Sequence, residues 1–576
     1  MRNGFGFSRQ FFKDVWYLTR SYWQSEERLK AFGLLACIIA LTLGIVYMLV
    51  LLNQWNNSFY NALQNYQTEK IFDELLHFSW LAAIYIILAV YSYYLQQTLI
   101  LHWRRWLTGR FISIWLKNRT YYQLQMFGHD TDNPDQRISE DVRLFVEMTL
   151  SFSVGILKAF CTFASFVLIL YRLSGPLQFT LLGRQWTLDG YLFWAALIYS
   201  IIGTYITHVV GKKLVQLNFV QQRYEADFRF SMIRLRESSE SVAFYRGEGQ
   251  EEEVFKNRFK LLLENFWRLI SKQKQLVWLN SGYSQIAIIF PFVAAMSRYL
   301  AKEITLGGLM QVSSAFGNVQ GSLSYFADMY TSIAQWQAVV MRLTYFGRHM
   351  QQVGEQAERF HLERFAAADF VQAEAMQVRL PDGTMLLENL SFRLEPGNNV
   401  LIKGVSGAGK STLLRAIAGI WPFVEGSITL PEQRQLMFIP QKPYIPLGTL
   451  RQALLYPGAP DGFGDAALTE LMEKCRIGYL ADKLELAADW SHVLSVGEQQ
   501  RLAFVRAHVQ RPKWLFLDEA TSALDEDTEA VMYGLLAELL PETTVVSVGH
   551  RSTLNKYHSL ALRLDKEKRS AALESL

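Results

Sequence analysis

Between Ala31 and Leu52 the chain reads AFGLLACIIALTLGIVYMLVLL, a run without a single charged residue. At about 1.5 Å rise per residue, some twenty residues in a helix match a hydrocarbon core of about 30 Å. Lipid offers no partner for backbone polar groups, so such a run must pair them within itself and cross as a helix. Comparable runs near 79–101, 152–171, 191–211 and 283–300, with a more polar one near 305–335, give an expected count of six spans.

Composition sharpens this reading. Aromatic residues make up 14% of the 576, crowded into the first 350, as suits side chains with one apolar and one wet side at membrane surfaces. Before the first span, Phe11, Phe12, Trp16, Tyr17 and Trp23 alternate with Lys13 and Arg20, the pattern of a helix lying on the bilayer. A net charge of +4 supports neither a nucleic-acid partner nor an acidic or disordered tail. Cys37, Cys161 and Cys475 stand too far apart to suggest a zinc site or disulfide framework.

Lysine and arginine are concentrated after the second span, from Arg104 to Arg143, and after the fourth, from Lys212 to Lys274. The segments 54–77 and 172–190 are short and poor in cations. The positive-inside rule therefore predicts that both termini and both long loops are cytoplasmic, the loops continuing the spans as helices. The expected organisation is an amphipathic segment over 1–30, a six-span domain over 31–345, a polar linker over 346–374 and a soluble domain over 375–576. In the last, short β-branched or leucine-rich runs alternate with helical patterns, as in a parallel α/β sheet.

The soluble domain carries the chemistry. NNVLIKG, a strand pattern, leads into GVSGAGKS and then the helical TLLRAIAGI. This is a phosphate-binding loop in its required context: Gly404, Val405, Ser406, Gly407, Ala408, Gly409, Lys410, Ser411 and Thr412 are candidate ATP contacts. Lys410 reaches the terminal phosphates and Ser411 ligates Mg²⁺. In WLFLDE, Asp518 ends a strand as a second candidate for Mg²⁺, and Glu519 is placed to orient or deprotonate the attacking water.

With IPQKPY around Gln441, LSVGE at 494–498, ATSALD at 520–525 and VVSVGH ending at His550, the chain from about 375 to 560 resembles the ATP-binding cassette (ABC) ATPases, motif by motif and in their order. That resemblance implies that ATP and Mg²⁺ are bound between two cassettes. It implies that Ser495, Gly497 and Glu498 approach the γ-phosphate from the opposite subunit, that Gln441 senses Mg²⁺ and water, and that His550 contacts the γ-phosphate. The sequence departs from LSGGQ at Val496 and Glu498. It also offers no aromatic upstream of the P-loop for stacking adenine, leaving Leu380 or Arg379 as candidates.

The membrane half narrows the group. NQWNNSFYNALQ, DNPDQRISEDV and SESVAFYRGEGQEEE resemble the peroxisomal fatty-acyl transporter (ABCD) group and, more closely, the bacterial SbmA/BacA-like ABC proteins, whose relatives move peptides or cobalamin. The fold this implies is an exporter-type α-helical transmembrane bundle followed by an α/β P-loop nucleotide-binding domain. With one P-loop and one signature per chain, it implies a homodimer in a bacterial inner membrane, moving a peptide, a cobalamin-like molecule or an amphiphile. The alternative is a membrane-tethered ATPase that remodels a partner without moving solute. Lys158, Gln320 and Asp328 fall within expected spans and either line a pathway or form polar pairs between helices. The helix ends near Asn133-Pro134, with Asp132 as a cap, and near Arg234–Tyr245 are where force is expected to pass from cassette to membrane, unless they are plain surface turns.

Overall fold

The computed structural model describes residues 9–127, 133–181, 184–357, 362–366, 368–458 and 463–576. The chain forms two compact units: residues up to Ser113 join Asp132–Arg348 in one, and Ile114–Thr131 join His349–Leu576 in the other.

The first unit is helical. It begins with α1 (Arg9–Trp23) and α2 (Arg28–Gln64), followed by α3 (Thr68–Leu116) and, in the second unit, the short α4 (Thr120–Phe127). A one-turn α5 (Pro134–Gln136) passes through a π turn at Arg137–Asp141 into α6 (Val142–Ser174). After a hairpin of β1 (Pro176–Leu181) and β2 (Arg184–Asp189) come α7 (Tyr191–Glu237), the short α8 (Ser239–Tyr245), α9 (Glu248–Leu300), α10 (Leu306–Asp328) and α11 (Tyr330–Ala357). The expected helical extensions are present: α7 and α9 run for 47 and 53 residues, well beyond their apolar stretches.

Among the described residues five helices are long and apolar enough to cross a membrane: α2, α3, the rod from Pro134 to Ser174, α7 and α9. The sixth expected span, α10, falls short on apolarity for a physical reason. It packs against α2, α6, α7 and α9, and buries Leu309, Val312, Ala315, Phe316 and Val319 among them. A helix enclosed by others does not have to satisfy lipid. By contrast α3 exposes Ile86, Ile87, Val90, Tyr93 and Tyr94, an outward apolar face that water would penalise and hydrocarbon would not.

Polar side chains lock these helices in register. Asn53 Nδ2 donates to the Gln311 carbonyl (3.0 Å), and Asn57 Nδ2 donates to Gln311 Oε1 (2.7 Å). Asn61 Nδ2 donates to Asn57 Oδ1 (2.6 Å) and its own Oδ1 accepts from the Gly307 amide (3.0 Å). The three asparagines, spaced by four, form one ladder along α2 facing the start of α10. Gly307 permits the approach: a Cβ there would stand 2.1 Å from the Asn57 carbonyl oxygen. At the other end of the bundle Asp141, 1% exposed, accepts from Arg137 Nη1 (2.6 Å) and from Arg342 Nε and Nη2 (2.8 and 2.6 Å). Arg137 and Asp141, four residues apart, share one side of the rod.

The second unit is built on a six-stranded sheet. Its order is 570–575, 560–565, 400–403, 544–548, 514–518 and 436–439, parallel except for the first pair. Strand Thr544–Val548 is buried throughout, as is Trp514–Leu517, as expected of strands covered on both faces. A four-stranded sheet, in the order 362–366, 424–430, 371–379 and 385–394, completes the fold. Parallel order places loops after 400–403, 436–439, 514–518 and 544–548 at one edge, and that edge carries the site.

The α4 segment packs within this unit. Met126 and Phe127 join its apolar cluster, with the Phe127 and Phe423 rings 4.7 Å apart. Arg119 Nη1 donates to the carbonyls of Ala418 (3.3 Å) and Gly419 (2.9 Å), at the C-terminus of the helix Lys410–Ala418. Arg364 Nη2 donates to Ala416 and Ile417 beside them, so two guanidinium groups face the negative end of the P-loop helix. The first long loop therefore contributes this segment to the cassette unit, ahead of the helix end expected from the sequence. Asn133-Pro134 lies with the membrane unit, Asp132 lies outside the described residues, and the apolar tip that meets the cassette precedes them.

Candidate functional site

The P-loop leaves strand Val400–Lys403 and enters the helix that starts at Lys410. Gly409 has φ +95°, and a Cβ there would meet a Leu386 methyl at 3.0 Å, so the position admits glycine for two reasons. Lys410 Nζ donates to the carbonyls of Gly404 (2.8 Å) and Val405 (3.2 Å), folding back over its own loop. Burial pushes its pKa down, with Glu519 and Asp518 pulling the other way. Ser411 Oγ donates to Asp518 Oδ1 (2.8 Å). Burial raises the Asp518 carboxyl against the opposing pull of Ser411, Arg415 and Lys410.

Glu519 follows at φ +51°, left-handed backbone uncommon for a residue with a side chain. That turn sets its carboxylate between two other loops: Gln441 Nε2 donates to Oε2 (3.1 Å), and His550 Nε2 stands 3.4 Å from Oε1. Residues from three separate motifs therefore meet on one carboxylate. Ser411, Asp518 and the Gln441 amide offer oxygen donors of the kind Mg²⁺ takes, and the set fits that ion.

Two residues that the motif reading passed over hold this arrangement. Gln500, fully buried, donates from Nε2 to the Gln441 carbonyl (3.0 Å) and Ser522 Oγ (3.2 Å), while its Oε1 accepts from the Ala523 amide (3.0 Å). Arg551, beside His550, donates to the Leu524 carbonyl (2.8 Å) and lies 3.5 Å from the buried Glu529. Their signal was faint: one glutamine among the polar residues of the signature helix, and an arginine next to a motif histidine.

The signature opens the helix Val496–Gln510. Ser495 Oγ accepts from the Glu498 amide (3.3 Å), and Glu498 Oε2 accepts from the Ser495 amide (2.7 Å), a reciprocal capping box. The departure at Glu498 thus has a structural use, and Tyr479 donates to its other oxygen. A Cβ at Gly497 would meet the Ala523 carbonyl at 3.2 Å, so the signature rests on the loop after Glu519. Among the described residues no hydrogen bond joins Ser495, Gly497 or Glu498 to the P-loop of the same chain. Of the adenine candidates, Leu380 packs with the cluster that contains Ala408, whereas the Arg379 guanidinium lies 3.6 Å from Glu425.

Two of the three pathway candidates have described side chains. Lys158 is exposed on α6, and Gln320 Nε2 donates to Ser324 Oγ (3.1 Å) on its own helix. The Asp328 side chain lies outside the described residues.

Comparison with known proteins completes the description. Residues 18–300 match the family described as ABC transporter transmembrane region 2, and 387–522 match the ABC transporter family. The chain is 34% identical over 536 residues, 93% of its length and 94% of the relative's, to the Escherichia coli inner membrane ABC transporter ATP-binding protein YddA. It is 28% identical over 584 residues, 94% of its length and 92% of the relative's, to the human lysosomal cobalamin transporter ABCD4. A solved structure of a bacterial Atm1-family ABC exporter with ATP bound superposes with a TM-score of 0.70 over 96% of both chains at 17% identity, a likeness of fold.

Proposed function

Because the chain belongs to the ABC half-transporters of the D-family type, a multi-pass membrane ATPase coupled to transport, we propose that two copies form one pump whose two ATP sites lie at their shared cassette seam. The observation that carries this reading is the convergence of Gln441 and His550 on Glu519, next to the Ser411–Asp518 pair.

In this reading Lys410 releases the loop carbonyls and takes up the terminal phosphates. Glu519 accepts a proton from the attacking water while His550 and Gln441 hold the γ-phosphate end of the substrate in line. Ser411, Asp518 and Gln441 are the residues that hold Mg²⁺, which when bound neutralises phosphate charge. The signature of the partner completes the site: Ser495 and Gly497 approach from the N-terminus of their helix, where backbone amides favour an anion. Exposed Val405 and Val496, one on each motif, suit surfaces that a second cassette covers.

ATP favours the closed cassette pair because it touches both halves only there, and hydrolysis removes that preference. The segment 117–127, which meets the end of the P-loop helix through Arg119 and Phe423 through Phe127, would hand this change to α3. Cation-rich extensions put both termini on the cytoplasmic side of a bacterial inner membrane. The cargo is a peptide, a cobalamin-like molecule or an amphiphile, supported by the resemblance and by the printed role of the human relative. Sealed proteoliposomes test the whole reading: vanadate-sensitive flux of one of these classes is expected, and ATP turnover without flux for any of them would favour remodelling of a partner instead.

A further inference from the structure

Where α7 and α9 leave the apolar zone, a pocket of about 540 Å³ opens between them. Its level follows from the sequence: Lys213 comes two residues after the apolar run 191–211, and Lys272 precedes the apolar run near 283–300, separated from it by the mixed stretch 273–282. The pairing of the helices agrees. Tyr199 and Tyr283 meet within the apolar runs with rings 4.3 Å apart, whereas at the pocket Asn265 Nδ2 donates to the carbonyl of the lining residue Leu217 (3.0 Å). The pocket therefore lies at the depth of lipid headgroups.

Its lining is one-sided in charge. Lys213, Arg268 and Lys272 contribute three cations, and among the described residues no carboxylate lines it. Among the described residues neither Lys213 nor Arg268 has an ion-pair partner, and Lys272 Nζ donates only to Gln275 Oε1 (2.9 Å), a neutral group. Gln216 and Ser271 add neutral hydrogen-bonding groups. Trp267, 67% exposed, stands at the rim, as an indole does at a membrane surface. Three cations on the lining of one pocket, none paired with a carboxylate among the described residues, are a lining that an anion would neutralise. A guanidinium fork with two ammonium groups suits the oxygens of a phosphate, and basic pockets between spans at this depth take anionic headgroups.

We propose that this pocket binds the headgroup phosphate of an anionic phospholipid, through Lys213, Arg268 and Lys272, with Trp267 against the glycerol and upper acyl region. The test uses the full-length protein. Native mass spectrometry from detergent, titrated with phosphatidylglycerol or with phosphatidylcholine, reads bound lipid. The variant Lys213→Gln/Arg268→Gln/Lys272→Gln is expected to weaken phosphatidylglycerol binding at least tenfold while leaving phosphatidylcholine adducts and basal ATP turnover unchanged. Lys213→Arg/Lys272→Arg is expected to retain binding. Brominated phosphatidylglycerol in nanodiscs supplies a second readout, because the quenching lost in Trp267→Phe reports lipid at the rim. Equal phosphatidylglycerol binding by the wild type and the triple variant overturns the site. Displacement of the lipid by millimolar inorganic phosphate overturns the lipid assignment and gives the pocket to a soluble phosphate ligand.

Discussion

The two units of this chain place their polar residues by opposite rules. In the cassette the chemical groups are carried on contiguous motifs, and parallel strand order sweeps their loops to one edge. Gln441, Asp518, Glu519 and His550 meet because strands 436–439, 514–518 and 544–548 are neighbours in the sheet. In the membrane unit polar groups work in pairs far apart in sequence: Asp141 meets Arg342, and Asn57 meets Gln311. The difference teaches that one unit is specified by local chemistry and the other by pairings that cancel isolated charges and amides in an apolar surrounding. Substitutions in the two should fail in different ways.

The largest separation of the two behaviours is expected from Glu519→Gln. A general base contributes about 10²–10⁴-fold, so ATP turnover in nanodiscs should fall by that order while nucleotide binding and thermal stability persist. Turnover within a few-fold of the wild type would remove Glu519 from the role assigned to it. The membrane counterpart is Asp141→Asn, which strands Arg137 and Arg342 without their shared anion. Removing one partner of a buried pair costs about 3–5 kcal/mol, and the loss should show as a lower unfolding temperature of the full-length protein. Arg342→Gln, which leaves Arg137 paired, should cost less.

A third substitution probes the cassette without touching nucleotide. His508, 3% exposed on the signature helix, has neither ring nitrogen hydrogen-bonded among the described residues. Burial, with Arg511 and Lys474 nearby, lowers its pKa from 6.5 to about 4. The unfolded chain therefore takes up a proton between these values while the folded one does not. Stability from this group is complete above pH 6.5, is withdrawn as pH falls, and is lost by about pH 4. The difference amounts to roughly 3 kcal/mol. His508→Phe should flatten this part of the pH profile of thermal unfolding, and an unchanged profile would place the acid sensitivity elsewhere.

How much of this was legible beforehand follows the same division. The cassette motifs announced their roles because each needs particular residue types at fixed spacing, and the sheet did the rest. Gln500 escaped because one glutamine among the several polar residues of the signature helix has no spacing to betray it, although it ties the Gln441 loop to the loop after Glu519. In the membrane unit, apolar runs announced the spans, but α10 read as the weakest for the very reason that it sits among the others. Asn133-Pro134 is a conspicuous helix start, whereas Met126 and Phe127 look like ordinary apolar residues until Phe423 appears beside them. Arg342 gave no sign that it pairs with a carboxylate 201 residues earlier.

The smallest predicted effect is the most discriminating for the membrane unit. Asn57 is the middle rung of its ladder, accepting from Asn61 and donating to Gln311. Hydrogen bonds between spans average only about 0.6 kcal/mol, because the separated helices find other partners in lipid. Asn57→Leu should therefore leave the protein folded, with little change in melting temperature. Register is another matter, since the ladder aligns Gly307 with the Asn57 backbone, and losing its middle rung leaves that alignment to Asn53 and Asn61 alone. A cysteine pair across α2 and α10, cross-linked in the wild type, should then lose cross-linking efficiency in Asn57→Leu at nearly unchanged stability. If efficiency and stability fall together, the ladder is ordinary glue; if neither moves, the packed apolar face of α10 sets the register alone.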